Sequence, residues 1–137
     1  MIRAVIDTNV LVSGMISKTG NEALVILAVN QSLLRPCLSA EILQEYRDVL
    51  VPPKFAFPVD DVDALLAMLR SQGEHIVPPS VPRLSPDPED DKFIACSLAG
   101  KADFPVTGNK RHFPAPQLTS TKVVSAAELL ELITLEL

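Results

Sequence analysis

The sequence predicts an α/β protein: a three-layer α/β/α domain around a central, mainly parallel sheet of about five strands. Three observations lead there. Short runs rich in β-branched and apolar residues alternate with segments of helical length, polar loops join them, and the first run passes directly into Asp7-Thr8-Asn9. Strands that alternate with helices in this way build parallel sheets covered by helices on both faces. In such sheets, side chains that act on ligands gather at the carboxyl ends of the strands.

Each element has its own reason. Ile2 to Ile6 is short and largely β-branched, so it reads as a buried strand. Val10 to Ile16 is either a turn of helix or irregular. Glu22 to Val29 has helix-forming residues and helical length, and Leu33 to Leu38 follows as the second strand. Ser39 is placed to cap a helix running to about Leu50, with Glu41 in the turn that the helix dipole favours for an acid and Pro52-Pro53 to stop it. Residues 60 to 72 form an amphipathic helix through Val62, Leu65, Leu66 and Leu69, which Gly73 ends, and Ile76-Val77 reads as a short strand. Pro78, Pro79, Pro82, Pro86 and Pro88 mark an extended loop. After it come a helix over Glu89 to Leu98, a strand over Phe104 to Thr107, a turn at Gly108-Asn109-Lys110 and a strand at Lys122 to Val124. Ser125 and Glu128 have capping-box spacing and open a last helix that includes Leu129 to Ile133.

Composition narrows the functional classes. A chain of 137 residues fits one domain, 1–137, since two compact cores would each approach the size where folding alone is marginal. Hydrophobic residues at 47% against 21% charged are enough to fill such a core, so disorder is not indicated. Cys37 and Cys96 are the only cysteines and form no CxxC pair, which excludes a disulfide framework or a zinc knuckle and suits a reducing cytoplasm. Asp7 interrupts any signal-peptide apolar region, and no apolar run approaches the roughly 20 residues of a membrane span, so a soluble protein is expected. A net charge of −5 argues against holding nucleic acid on a general basic surface. That objection weakens where carboxylates share one site, because bound divalent cations reverse the charge a phosphate meets.

Several acids are candidates for such a site. Asp7 follows the first strand, although an Asx turn would also place an Asp there. Glu45 lies on the stripe of Ile42 and Val49 that should face the sheet. It is either a partnered inward acid or a boundary residue whose carboxylate reaches water or pairs with Arg47 or Arg3. In Asp87-Pro-Glu-Asp-Asp91, negative charge at a helix start explains some acids, but Asp91 lies one turn before Ile94 and Ala95 and leans inward. Asn109 follows a strand as Asp7 does, or is simply a turn residue. Lys110, Arg111 and His112 form the compact basic cluster, placed to meet phosphate unless it is an ordinary solvated loop.

Taken in order, these positions resemble a family. Ile6-Asp-Thr-Asn-Val-Leu11, Glu45 on the helix after strand two, Asp87-Pro-Glu-Asp-Asp-Lys-Phe-Ile-Ala95 and Ala102-Asp-Phe-Pro-Val-Thr-Gly-Asn109 are similar to PIN-domain nucleases, especially the VapC-like toxins of bacterial toxin–antitoxin systems. The resemblance extends from Arg3 to the final helix. It implies an acidic catalytic site on Asp7, Glu45 and Asp91, with Asn109 as a fourth metal ligand and substrate contacts from Thr8, Asn9, Thr107, Lys110 and Arg111. Many members carry Asp where Asn109 stands, and an amide oxygen ligates a hard cation without adding charge, so a second metal would bind weakly or only with substrate. Pro105 also departs from expectation, since it removes a ladder donor from an internal strand.

The function implied is metal-dependent endoribonuclease. Carboxylates near 4 Å apart repel by about 4 kcal/mol per pair at an effective dielectric of 20, so the site needs cations, and oxygen ligands suit Mg²⁺ or Mn²⁺. RNA as substrate, a cognate antitoxin and a homodimer follow from the resemblance alone. The alternative is a PIN-like scaffold, catalytically weak, that binds RNA or protein. A phosphotransfer enzyme with Asp7 as nucleophile would want a second Asp where Asn9 stands, and no GxGxxG follows strand one for a dinucleotide.

Overall fold

A computed structural model describes residues 1–79, 91–108 and 122–137. The elements follow in the order β1 (Ile2–Ile6), α1 (Thr8–Ile16), α2 (Asn21–Asn30), β2 (Leu34–Leu38), α3 (Ala40–Leu50), α4 (Val59–Gln72), β3 (Glu74–His75), α5 (Asp91–Gly100), β4 (Phe104–Val106) and α6 (Ala126–Glu136). Among the described residues every pairing is parallel, and the strands lie in the order β3-β2-β1-β4. β1 is central, with Ile2 opposite Leu34 on one side and Ile6 opposite Val106 on the other.

This order sets the layers. The chain steps from β1 to β2 to β3 in one direction, then returns past β1 to form β4. Right-handed crossovers therefore put α1 to α4 on one face and α5 on the other. In agreement, α2 and α4 pack on β2, while α5 packs across β1, β2 and β4. Arg3 ties the second face together: its guanidinium donates to the Gly100 and Lys101 carbonyls at the end of α5, at 2.7 and 3.0 Å, and pairs with Glu74. Ile6, Leu34, Leu38, Tyr46, Leu66 and Phe93 are among the fully buried side chains between these layers.

Both capped helices form as their sequences direct. Ser39 Oγ accepts from the Ile42 amide at 3.2 Å. The Ser125 and Glu128 side chains exchange bonds of 3.2 and 2.9 Å with each other's amides, satisfying donors that a helix start leaves unpaired.

Three expectations about elements need correction. The segment after Asp7 is a full helix from Thr8, not a single turn or irregular chain from Val10. The strand expected at Ile76-Val77 is Glu74–His75, because the chain turns at Gly73 directly into pairing, and only the Ile76 amide still reaches β2, donating to the Leu38 carbonyl at 2.7 Å. The expected fifth strand is reduced, among the described residues, to one bridge between Val124 and Val106. Pro105 explains this. Its carbonyl accepts from the Val124 amide at 3.0 Å, so its nitrogen, which has no hydrogen to donate, also faces that side. The ladder toward Lys122 loses a bond there and does not extend.

Gly73 is required by space and not by backbone angle. A Cβ on it would lie 2.6 Å from the Leu69 carbonyl oxygen and 2.6 Å from Leu38 Cδ1. Because the carbonyl cannot rotate aside, Gly73→Ala is expected to destabilise the protein by about 1 to 3 kcal/mol, the usual cost of overpacking. A urea midpoint equal to that of the parent would contradict this.

Cys37 on β2 and Cys96 on α5 are free and buried. Burial pushes both thiols up, Cys96 from 9.0 to about 12. The thiolate is the reactive form, so neither cysteine should react with a thiol reagent near about pH 8 until the protein unfolds. A raised thiol pKa also means that the unfolded chain loses its proton first. Stability should therefore fall as pH rises from 9.0 toward about 12, with the full contribution of Cys96 retained below 9.0.

Candidate active site

The reversal of strand order leaves a switch point between the carboxyl ends of β1 and β4, where open α/β sheets place their ligand sites. Asp7 and Thr107 are the residues that leave those two strands. The Asp7 amide donates to the Val106 carbonyl at 2.9 Å, which holds its backbone on β4, and its own carbonyl accepts from the Val10 amide as α1 begins. Its side chain is only 6% exposed, and the Thr107 hydroxyl donates to Oδ2 at 2.7 Å. Burial raises the Asp7 pKa; the Thr107 bond opposes the shift, the negative charge of Glu45 adds to it, and the nearby Asn9 and Thr8 amides lower it without closing a cap bond.

Glu45 reaches the same edge from α3. Ile42, Tyr46 and Leu50 bury one stripe of that helix, and the Tyr46 hydroxyl donates to the carbonyl of Ile6, immediately before Asp7. This bond anchors α3 against the end of β1. Glu45, next to Tyr46, accepts from the Thr8 hydroxyl at Oε2 and from Lys92 Nζ at Oε1, the latter at 2.6 Å.

Its cationic partner is therefore Lys92, and not Arg47 or Arg3. Arg47 pairs with Asp63 at 3.3 Å on the surface, and Arg3 is engaged with Glu74 and the end of α5. Lys92 escaped the sequence reading, although a signal exists: a cation in the first turn of a helix is opposed by the dipole and needs a carboxylate nearby.

Asp91 opens α5 and is 4% exposed. Thr8 and Thr107 are buried, while Asn9 is exposed beside Asp7. Asn109, Lys110, Arg111 and His112 lie outside the described residues. Among the described residues, no three of the Asp, Glu, His and Cys side chains come close enough together to enclose a metal ion. The donor chemistry at the switch point nevertheless fits a hard divalent cation, since carboxylates and hydroxyls supply only oxygen and both cysteines are buried away from solvent.

A family model described as PIN domain matches residues 3–111, and the chain belongs to the PIN-domain family. The match ends before α6. Proteins of this family are generally nucleases, hydrolases that typically use divalent metal ions. No curated protein and no solved structure matches the chain. No single helix among the described residues is long and apolar enough to cross a membrane.

Proposed function

We propose that this PIN-domain protein is a metal-dependent endoribonuclease that hydrolyses RNA phosphodiester bonds, acting as the toxin of a toxin–antitoxin pair. The observation that carries the nuclease reading is Asp7, a buried carboxylate fixed at the switch point by Thr107 and within electrostatic range of Glu45. Asp7, Glu45, Asp91 and Asn109 would hold Mg²⁺ or Mn²⁺. When bound, the ion supplies positive charge that lowers the pKa of an attacking water and stabilises the leaving oxygen. Thr107 orients Asp7, and Thr8 orients Glu45. Asn9, exposed beside them, is assigned to substrate together with Lys110 and Arg111, whereas Thr8 and Thr107, expected there too, are buried with their hydroxyls on Glu45 and Asp7. The toxin role, a cognate antitoxin, a homodimer and a cytoplasmic setting rest on the resemblance to VapC-like toxins.

The test is cleavage of RNA by the purified protein with Mg²⁺ or Mn²⁺. Cleavage should stop with EDTA and with Asp7→Asn; cleavage that survives both overturns the assignment.

A second reading, a catalytically weak scaffold that binds RNA or protein, is favoured by one observation: Glu45 already has a cation on it in Lys92. Calorimetry separates the two, because a scaffold shows no Mn²⁺ binding that depends on Asp7 and Asp91.

A further inference from the structure

We infer that Lys92 is a positioning residue and the counter-cation of Glu45, and that a divalent metal ion engages Glu45 in competition with it. The inference rests on the nuclease reading for the role of Glu45 as a ligand. It is carried by the geometry around that carboxylate.

Lys92 Nζ lies 2.6 Å from Glu45 Oε1, and both side chains are only 18% exposed. The surface pairs differ: in Arg47 with Asp63 the side chains are 44% and 52% exposed, where such contacts contribute little. Lys92 also stands in the first turn of α5, where the helix dipole disfavours a cation. A lysine in that place, turned toward a carboxylate on another helix, bridges α5 to α3. Thr8 occupies the other oxygen of Glu45, so in this arrangement each carboxylate oxygen has a donor.

Two cations on one carboxylate repel, and more strongly where solvent is largely excluded. Entry of Mg²⁺ or Mn²⁺ at Glu45 therefore competes with the ammonium group. Lysine suits such an exchange, because its charge sits at the end of a flexible four-carbon stem and can move away, whereas the planar fork of arginine grips a carboxylate through two bonds. Thr8 does not compete in this way: a carboxylate oxygen has room for a second donor or ligand beside a hydroxyl. A phosphodiester arriving at the site offers the displaced ammonium another anion.

The experiment titrates Mn²⁺ alone into the full-length parent, Lys92→Met and Lys92→Arg, followed by calorimetry, with thermal unfolding recorded in the absence and presence of Mn²⁺. Lys92→Met keeps the apolar stem and removes the charge. It should bind Mn²⁺ at least about tenfold more tightly than the parent, because the repulsion between the ammonium group and the incoming cation is gone. Without metal it should melt lower than the parent, and Mn²⁺ should raise its melting temperature by more. Lys92→Arg should bind Mn²⁺ no better than the parent. Lys92→Gln, which keeps a hydrogen-bond donor without the charge, replaces Lys92→Met if that variant does not fold. If the parent binds Mn²⁺ and the neutral variants bind it equally or more weakly, the inference is overturned while the nuclease reading stands. If neither the parent nor any variant binds Mn²⁺, the nuclease reading fails and takes the inference with it.

Discussion

Asp7→Asn should lower RNA cleavage by more than about 100-fold while making the metal-free protein more stable at neutral pH. The first effect follows from the proposed role of Asp7: even groups that only contact a metal ligand change affinity or activity by about 10- to 100-fold, so loss of a ligand charge should exceed that. The second follows from burial. Desolvation, reinforced by the charge of Glu45, raises the Asp7 pKa above 3.8 in the folded protein. The folded state then holds the proton at pH values where the unfolded chain has released it, so stability falls as pH rises from 3.8 through the folded pKa. Above that range the ionised carboxylate is a net cost. Asn has nearly the same shape, still accepts the Thr107 hydroxyl and carries no charge. The variant should therefore melt higher than the parent at neutral pH, and the two curves should converge as pH falls below 3.8. Mn²⁺ should reverse the ranking, because a ligand that binds only the folded parent stabilises only the parent. A melting temperature for Asp7→Asn at or below that of the parent in metal-free buffer would show that Thr107 outweighs the burial.

The second large effect is expected at Tyr46. Its ring is fully buried on α3 and lies 6.5 Å from that of Phe93 on α5, and its hydroxyl donates to the Ile6 carbonyl at the end of β1. Burial holds the phenol well above its ordinary pKa, so it remains a donor at any working pH. Tyr46→Ala removes a large aromatic from a close-packed interior and should lower unfolding free energy by about 3 to 5 kcal/mol. A typical domain has only about 5 to 15 kcal/mol, so this variant approaches global unfolding. Tyr46→Phe isolates the hydroxyl. It leaves a buried carbonyl short of a partner and should cost about 1 to 3 kcal/mol. Urea titrations of both variants give these values. A Tyr46→Phe protein as stable as the parent would mean that the Ile6 carbonyl finds another donor.

These two residues show how far local pattern reaches. Tyr46 is legible as a core position because it shares a helical stripe with Ile42 and Val49, but its hydrogen bond to Ile6 crosses 40 positions of chain. Asp7 and Thr107 are each legible as residues that leave a strand. That they touch depends on β4 lying beside β1, and alternation of strands and helices does not specify that order. Lys92 is illegible for the same reason: its partner stands 47 positions away, and a charge run at a helix start looks like a solvated face. The shift of β3 to Glu74–His75 was hidden because an edge strand of two polar residues shows no apolar alternation.

By itself, the sequence determined what local physics controls. Side-chain period and β-branching set the helices and most strands, Ser39 and Ser125 set two helix starts, Pro105 limited the last ladder, and the ordered acids identified the family resemblance. The tertiary structure decided which distant groups meet. Strand order brought Thr107 to Asp7, and the approach of α5 to α3 brought Lys92 to Glu45. The division has a physical cause: propensity and capping act over a few residues, whereas a carboxylate buried at a sheet edge takes its partner from whichever element the chain's crossovers lay beside it.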